Sequence, residues 1–429
     1  MQKIKNNNFK QVSIDLKLKY SHKEMIRTSS ICLSYIYRYL TDETLNNKDT
    51  DSDVEKKCTQ LRCLSKTLEK YGGVLSKISQ ILSINDSENT VFTDCKPYSK
   101  KETLKFFKEF YNEEITKNNS PFKKVDVDFG IYKSGSIGQV HKAKYKGNDI
   151  ILKIQYDGLK KQTKTDIDML EKLVGWLYNH IDLEDALREI RKKMKDELNY
   201  PLEAKNQIRI RKLFVNNKHI EIPQIIPELC TDRILAMERS QGRSIKKFIK
   251  NNPTQQQRNN IGKLIVQFVF ENIYKHGILY SDTHYGNFLV KRNEKLIVLD
   301  FGCIHYISDK LKNNLRNLHI SLINKNKQKF YSITNDIGIS TESISPESKE
   351  YLYEYFITQF EPWISKKFLF NQEWLDKVTA KNFELMKEWK LPEGLVYFNK
   401  IPYGTIHLLT KINSEINCYD TLAKILNYE

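Results

Sequence analysis

Long apolar runs are missing from the sequence. No stretch of about 18 or more apolar residues occurs in the 429 residues, so we expect no transmembrane helix. The best candidate, residues 31–40, is too short and contains Arg38. The basic start of the chain is separated from this stretch by mostly polar residues and is interrupted by acidic ones. This pattern argues against a cleaved secretory signal and against an organellar transit peptide.

Closely spaced cysteine pairs are also missing. The seven cysteines are spread along the chain, and no Cys-x-x-Cys motif pairs with another. The spacing therefore predicts neither a zinc site nor a disulfide framework, and it favours a reducing compartment. Global disorder is excluded too, because 40% of the residues are hydrophobic and 29% are charged, as in ordinary globular proteins.

Acidic residues are outnumbered by basic ones. The chain has 70 Lys and Arg against 53 Asp and Glu, which gives a net charge of +17 and favours anionic partners. The basic residues are spread among many asparagines, so general composition explains much of this charge. No motif of interleaved aromatic and basic residues supports binding of nucleic acid. A nucleotide or an anionic membrane surface is the better match.

Hydrophobic spacing divides the chain into four parts. We predict a polar basic segment at 1–57, a helical extension at 58–124, a β-rich lobe at 125–240 and a helical lobe at 241–429. The β-rich part contains two strand-like runs joined by a turn at Lys146-Gly147-Asn148. A long helix is predicted at about 256–276, where Gly277 ends it. Two further short strands predict a second hairpin around Arg292-Asn293, and everything after about residue 309 has a helical pattern. This order of elements predicts an α+β, two-lobed protein-kinase-like fold with an N-terminal helical extension.

A glycine-containing loop precedes a lysine in the β-rich part. Two glycines let backbone N–H groups approach phosphate oxygens, and Lys153 on the next strand is placed to hold phosphates. Alone, the loop also suits an ordinary hairpin, and Lys153 also suits an outward-facing edge-strand residue. The predicted nucleotide contacts of the loop are Gly135, Ser136, Ile137, Gly138, Gln139 and Val140.

Three polar residues in the helical part complete this pattern. Asp282 suits the carboxylate beside an attacking hydroxyl or water, and Asn287 and Asp300 suit ligands of Mg²⁺. Each short motif alone is common in capped turns. Both motifs together, in this order after a glycine loop and a lysine strand, predict a phosphate-binding cleft.

Several segments resemble the UbiB/ADCK family of atypical, protein-kinase-like proteins, over roughly residues 60 to 429. SIGQVHKAKYKGNDIILKIQYDGL is similar to the loop-and-lysine segment of that family, and SDTHYGNFLV and IVLDFG are similar to its catalytic and metal loops. YGGVLSKISQILSIND and ELNYPLEA are similar to its Lys-x-Gly-Gln and E-x-D…E-A segments. The family acts around isoprenoid quinone synthesis and lipid homeostasis. Because its members are protein-kinase-like, the resemblance implies ATP or ADP and Mg²⁺ as ligands.

The resemblance assigns roles to further residues. It implies that Lys153 pairs with Glu203 on the helix equivalent to αC, and that Met237 and Glu238 meet the adenine base. In the family, the Lys-x-Gly-Gln helix covers the cleft, which gives Lys77 and Gln80 a regulatory role, with Lys77 directed toward Glu197. Taken alone, Lys77 and Gln80 suit solvent-facing helix positions, and Glu203 suits an ordinary surface carboxylate.

The chain departs from the family pattern at three positions. Ser79 replaces a glycine, Asn199 replaces an acidic residue and Gly135 replaces the last alanine of an alanine-rich loop. Because glycine lets an N–H group approach phosphate, we hypothesise that nucleotide binding is less restricted here than in typical members. Ser281 stands where ordinary kinases have Arg, which argues against control by an activation-loop phosphate.

The leading prediction is an atypical kinase or ATPase that binds Mg-ATP and acts on a lipid or small molecule, with peripheral contact to an anionic membrane. One alternative is a serine/threonine protein kinase, which requires the Lys77 helix to leave the cleft. Another is a catalytically silent nucleotide-sensing scaffold. The sequence leaves a cytoplasmic, a membrane-peripheral and, by resemblance, a mitochondrial location open.

Overall fold

The structure is a computed structural model. The residues that it describes are 67, 100–117, 119–128, 130, 132–134, 137–156, 158–177, 191–192, 194–342, 344–376, 378 and 393–428. The predictions for the segment 1–57, for Lys77, Ser79 and Gln80, and for Gly135 and Ser136 lie outside these residues.

The described residues form helices and short strands. The strands are β1 Val125–Val127, β2 Lys133–Ser134, β3 Gly138–Tyr145, β4 Asn148–Gln155, β5 Ile220–Glu221, β6 Ile234–Glu238, β7 Arg243–Ser244, β8 Ile278–Tyr280, β9 Phe288–Val290, β10 Leu296–Val298, β11 Ile304–Tyr306, β12 Phe368–Leu369 and β13 Glu415–Ile416. The helices are α1 Lys100–Thr116, α2 Leu159–Leu177, α3 Tyr200–Leu213, α4 Ile245–Lys250, α5 Gln255–His276, α6 Asp309–Ile323, α7 Lys327–Asp336, α8 Pro346–Ile364, α9 Glu393–Ile412 and α10 Cys418–Leu426.

The chain divides into two compact units. The first comprises Met1–Tyr200 and Glu228–Ala236, and the second comprises Pro201–Pro227 and Met237–Glu429. Helix α3 therefore belongs to the second unit apart from its first residue. The domain boundaries expected from the sequence stay predictions.

A five-stranded sheet is the centre of the first unit. Its strand order is β1-β3-β4-β6, and β2 also pairs with β3. Strands β3 and β4 are joined by a two-residue turn in which Lys146 and Gly147 have φ values of 49° and 81°. Two positive φ values are typical of a type I′ turn, whose twist matches that of the strands. The turn is one residue shorter than predicted, because Asn148 already pairs with Tyr145.

One face of this sheet is apolar. Ile150, Leu152 and Ile154 alternate along β4 and are buried, whereas Lys153 points to the opposite side and is half-buried. This period of two follows from the pleat of a strand. Lys153 is therefore excluded from the apolar core by its position in the strand.

The second unit is built around the long helix α5. A capping box of Thr254 and Gln257 starts this helix, and Gly277 ends it in the left-handed conformation with φ 62°. The predicted helix and its glycine stop are thus confirmed. The apolar side of α5, which includes Ile265 and Phe268, lies in the core of the unit.

The helical C-terminal part contains a strand pair that the sequence pattern does not predict. Strand β12 pairs with β13, and Phe368 lies opposite Ile416. The expectation that everything after about residue 309 is helical is therefore wrong at these positions. Two-residue strands are too short to show a period, so only the tertiary contact reveals them.

Candidate active site

Two loops of the second unit are held side by side. The first, residues 281–287, connects β8 to β9, and the second, residues 299–303, connects β10 to β11. Strand β8 pairs with β11, where Tyr280 lies opposite Ile304, and β9 pairs with β10, where Phe288 lies opposite Val298. Each loop is consequently fixed at both ends by a ladder shared with the other.

Hydrogen bonds extend both ladders into the loops. At one end, the backbone N–H and the hydroxyl of Ser281 both donate to the carbonyl oxygen of Cys303, at 3.1 and 3.0 Å. At the other end, the Leu299 N–H donates to the carbonyl oxygen of Asn287 at 3.0 Å. The predicted short hairpin of β9 and β10 is confirmed, and it brings the two predicted motifs together.

Asp282 and Asn287 are joined inside the first loop. The side-chain nitrogen of Asn287 donates to the carbonyl oxygen of Asp282 at 3.2 Å, and the His284 N–H donates to Asp282 Oδ1 at 3.3 Å. The side-chain nitrogen of Asn287 is engaged by this carbonyl, so its side-chain oxygen is the atom suited to bind a cation. Such an amide oxygen is a hard ligand of the kind that Mg²⁺ accepts.

Asp300 and Glu203 lie at the second loop. Asp300 Oδ1 accepts the N–H of Gly302 at 3.0 Å. A methyl group placed on Gly302 would lie 3.4 Å from Asp300 Oδ1 and 3.9 Å from Glu203 Oε2. The Glu203 carboxylate, although it is only 3% exposed, therefore lies beside this loop.

The acidic groups converge on Tyr280. Burial first, and then the charges of Asp282 and Asp300, raise the pKa of Tyr280 well above its ordinary value, and Glu203 contributes in the same direction. Deprotonated Tyr280 would add another negative charge to this acidic region, which explains the direction of the shift. Three of the predicted site residues thus act on one buried phenol.

The described part of the predicted phosphate loop lies in the first unit. Val140 of β3 pairs directly with Lys153 of β4, so both side chains are on the same face of the sheet. A Cβ on Gly138 would overlap the carbonyl oxygen of Ile154 and lie 3.0 Å from the Tyr200 hydroxyl. Glycine at this position is therefore required by the close approach of β3 and β4.

Lys153 contacts an aromatic ring. Its Nζ lies 5.1 Å from the centre of the ring of Tyr200, which is fully buried. A cation over the face of a tyrosine is electrostatically favourable, so this contact restricts the direction of the lysine side chain. The sequence pattern did not single out Tyr200.

The predicted adenine contacts lie at the end of β6. Met237 is buried, and the Glu238 N–H donates to the carbonyl oxygen of Gln224 at 2.8 Å. In return, the Gln224 N–H donates to Glu238 Oε2 at 3.1 Å. Glu238 is thus held to the neighbouring segment through both its backbone and its side chain.

Glu197, the predicted partner of Lys77, is half-buried in the first unit. Burial first, opposed by Lys192 and Lys195 and supported by Glu197, raises the pKa of the adjacent Asp196. Lys77 and Gln80 lie outside the described residues, so their predicted role stays a prediction.

The described part of the chain contains no set of side chains that would form a complete metal site by itself. No cluster there of three or more His, Cys, Asp or Glu side chains is arranged to hold a metal ion. Mg²⁺ in phosphoryl-transfer sites is commonly held by one or two protein ligands together with substrate phosphates. Asp300 and Asn287 fit that chemistry, because a phosphate supplies the remaining oxygens.

Sequence reasoning missed two residues that position the loops. Asn206 on α3 contacts the second loop through its side chain, and Gly404 on α9 lies against Thr283 of the first loop. Asn206 follows Glu203 by three residues, about one helical turn, so their spacing in the sequence indicates that both lie on one face of the helix. Gly404 gave no signal, because its contact depends on packing between distant segments.

Comparison with known proteins identifies the family. Residues 90–334, more than half of the chain, match the ABC1 atypical kinase-like domain. A protein described as lying in the hydrogenase 1 5′ region of Clostridium pasteurianum is 26% identical over 422 residues, covering 94% of this chain and 75% of that protein. The mitochondrial atypical kinase COQ8 of Saccharomyces cerevisiae is 24% identical over 401 residues, covering 89% of this chain and 77% of that protein.

A solved structure agrees with the fold. The complex of Rv3197 with erythromycin from Mycobacterium tuberculosis has a TM-score of 0.62 at 20% sequence identity, covering 86% of this chain and 96% of that chain. The family match defines a kinase-like protein, as the α+β order of elements predicts. The chain belongs to the ABC1 atypical kinase-like family, and the resemblance to the UbiB/ADCK proteins is confirmed.

Membership of this family defines the general activity. The chain is an atypical kinase, an ATP-dependent phosphotransferase or ATPase. The family implies binding of ATP, usually together with Mg²⁺. Among the helices that the structure describes, none has the length and apolarity needed to cross a membrane.

Proposed function

We propose that the chain binds Mg-ATP. The proposed contacts are Lys153, the loop residues from Gly135 to Val140, Glu203, Asp282, Asn287 and Asp300. The observation that supports this proposal best is the pair of loops 281–287 and 299–303 in the second unit, each fixed at both ends by a β-ladder. They hold two carboxylates and an amide, the groups that phosphoryl transfer requires.

Each residue of the second unit has a role that its contacts support. Asp282 accepts a proton from the attacking hydroxyl or water, and its orientation is fixed by the His284 N–H. Asn287 and Asp300 hold the cation in this proposal, and both side chains are oriented by hydrogen bonds, of Asn287 to the Asp282 carbonyl oxygen and of Asp300 to the Gly302 N–H. When bound, Mg²⁺ neutralises phosphate charge and ATP supplies the phosphoryl group.

Lys153 holds phosphate oxygens and pairs with Glu203 in this proposal. The contact of Lys153 with Tyr200 supports it, because Tyr200 begins the helix that carries Glu203. Tyr200 and Glu203 are three residues apart and lie on the same face of α3. A carboxylate beside the ammonium group would keep the lysine charged and directed toward the phosphates.

The segment of Met237 and Glu238 meets the adenine base in this proposal. The Glu238 N–H already donates to Gln224, so the base would use other backbone groups of the segment. The Glu238 carbonyl oxygen is one acceptor suited to the exocyclic amine of adenine.

The acceptor is a lipid or small molecule, and the family resemblance points to isoprenoid quinone metabolism. The net charge of +17 supports contact with an anionic membrane surface, where each nearby Lys or Arg contributes about 1 kcal/mol before screening. Co-sedimentation with anionic liposomes that is lost at high salt would support this contact. Absence of binding at every salt concentration would contradict it.

The regulatory proposal concerns Lys77, Gln80 and Glu197. The helix with Lys77 and Gln80 would cover the acceptor side of the site and direct Lys77 toward Glu197, as the family resemblance implies. This arrangement disfavours a protein substrate. If Lys77→Ala enables phosphorylation of the chain itself, the helix restricts protein substrates; unchanged behaviour would argue against this role.

ATP turnover by the purified protein tests the proposed function. We expect turnover to rise with anionic liposomes and phenolic lipid precursors, and to fall at least about 100-fold in Asp300→Asn. Asp309→Asn is the matched control, since this exposed aspartate lies in the same unit and pairs only with Lys312 in the described contacts. Nucleotide-dependent stabilisation without turnover would favour the silent scaffold. Autophosphorylation that depends on Asp300 would favour a protein kinase.

A further inference from the structure

Helix α3 presents a second buried polar side chain to the loop that contains Asp300. Asn206 is 2% exposed and follows Glu203 by three residues, so both lie on one face of the helix. Buried amides in proteins are almost always hydrogen-bonded, because leaving one unpaired is unfavourable. The partners of Asn206 are therefore informative about its role.

Both polar atoms of the Asn206 side chain are engaged with the same segment. Its Nδ2 donates to the carbonyl oxygen of Phe301 at 3.1 Å, and its Oδ1 accepts the hydroxyl of Tyr306 at 2.9 Å. Phe301 directly follows Asp300, whereas Tyr306 ends strand β11. A single side chain thus spans the loop from its metal-binding end to the strand that follows it.

The next turn of the helix continues this contact. Arg209, three residues after Asn206, lies with its guanidinium carbon 4.3 Å from the centre of the Tyr306 ring. Glu203 lies beside Gly302 of the same loop. Three successive turns of α3 therefore contact residues 301–306, and Asn206 provides the direct hydrogen bonds at the centre.

We propose that Asn206 is a positioning residue that joins helix α3 to the metal-binding loop, so that Glu203 and Asp300 keep a fixed relative position. This inference rests on the proposed function, in which Glu203 orients Lys153 and Asp300 holds Mg²⁺. A displacement of α3 then displaces Asp300 as well. Glu203, which directs Lys153, and Asp300, the metal ligand, therefore move together.

Hydrogen exchange tests this coupling without any nucleotide. In Asn206→Leu of the full chain, which loses both hydrogen bonds, we expect the amides of residues 299–306 to exchange at least about tenfold faster, since each buried hydrogen bond shifts a local opening equilibrium by up to about that factor. Tyr306→Phe removes the hydroxyl that donates to Asn206 but keeps the bond of Asn206 to Phe301 and the ring beside Arg209, so we expect a smaller shift in the same direction. Mass spectrometry of peptides that cover these residues gives the rates.

The matched control is Asn272→Leu. Asn272 is equally buried in the same unit, and its Nδ2 donates at 2.8 Å to the carbonyl oxygen of Phe268 within its own helix, α5. We expect this variant to lower thermal stability while leaving exchange at residues 299–306 unchanged. The comparison separates a general loss of stability from a specific loosening of the loop.

The Mg²⁺ dependence of ATP turnover is the second measurement. We expect Asn206→Leu to raise the Mg²⁺ concentration for half-maximal rate about fivefold or more, and Asn272→Leu to leave it unchanged. Unchanged loop exchange and Mg²⁺ dependence in a folded Asn206→Leu would overturn the inference. If that variant does not fold, an unchanged loop in Tyr306→Phe overturns it instead. If the wild type turns over no ATP, the proposed function fails, and loop exchange alone decides this inference.

Discussion

The two units hold their proposed site residues in different ways. In the second unit, the loops with Asp282 and Asp300 are fixed at both ends by β-ladders and by hydrogen bonds from Ser281 and Leu299. In the first unit, Lys153 lies on β4, between β3 and β6 of one sheet, and β3 approaches β4 closely at Gly138. The loops of the second unit thus have several separate restraints, whereas in the first unit a methyl group at Gly138 would meet backbone of the strand that carries Lys153.

The largest expected effect is a loss of stability when Gly138 of the first unit is substituted. Gly138→Ala places a methyl group onto the Ile154 carbonyl oxygen, a backbone atom that lacks the freedom of a side chain. We expect a loss of about 2–3 kcal/mol in the free energy of unfolding, measured by denaturant titration.

Gly130→Ala is the control for this change, because the atoms nearest to its methyl group would belong to the Asp128 side chain and not to backbone. We expect its unfolding curve to stay close to that of the wild type. Equal stabilities of Gly138→Ala and wild type would contradict the proposed sensitivity of the hairpin.

A second prediction probes the core of the second unit by pH. His319 is fully buried beside Tyr274, and its burial lowers its pKa to about 3. Below about pH 6.5 the unfolded chain binds a proton at this site that the folded protein does not bind. Stability is therefore lost as the pH falls from about 6.5 toward 3.

His319→Asn removes the titrating group while retaining an acceptor for the Tyr274 hydroxyl. We expect this variant to lose about 2 kcal/mol less than the wild type between pH 7 and pH 5. Urea unfolding at both values gives the difference. Identical pH dependence in the two proteins would show that His319 is not held neutral by the fold.

A third prediction tests how a single methyl group beside the first loop of the second unit affects ATP turnover. Gly404 of α9 lies against the buried Thr283, and a Cβ there would overlap the Thr283 hydroxyl. We expect Gly404→Ala to slow ATP turnover about tenfold through displacement of the neighbouring Asp282.

A double variant checks the cause. Thr283→Ala removes the hydroxyl that would overlap, so Gly404→Ala should be less harmful in that background than in the wild type. If the two substitutions reduce turnover independently, the contact between α9 and the loop does not position Asp282.

The smallest expected effect concerns Gly135. Following the hypothesis that glycine here relaxes nucleotide binding, Gly135→Ala should change the ratio of ATP to ADP affinity by about threefold. Titration of both nucleotides into both proteins measures this ratio. Equal affinities in wild type and variant would remove the hypothesis.

Much of the fold was predictable because its signals are local. The β3–β4 hairpin, the helix ended by Gly277 and the hairpin of β9 and β10 all follow from turn residues and hydrophobic period. The joint order of the glycine loop, the lysine strand and the two acidic motifs pointed to the kinase-like family. The roles assigned to the individual site residues remain predictions.

The remaining features depend on contacts between distant positions. Asn206 reaches Phe301 and Tyr306 about a hundred residues later, and its acceptor at Phe301 is a backbone carbonyl with no sequence signature. The Glu238 N–H is likewise engaged by the carbonyl oxygen of Gln224. Strands β12 and β13 are too short to carry a pattern. Residue types alone do not encode such pairings.

Titration of Mg-ATP into the wild type, Lys153→Ala and Asp300→Asn tests the central claim most directly. Lys153 is the proposed phosphate contact, and Asp300 is the proposed ligand of Mg²⁺. We expect saturable binding by the wild type and affinity at least about tenfold weaker in each variant, since each loses a charged contact to the bound complex. Wild-type affinity in either variant, or no binding by the wild type, would contradict the account.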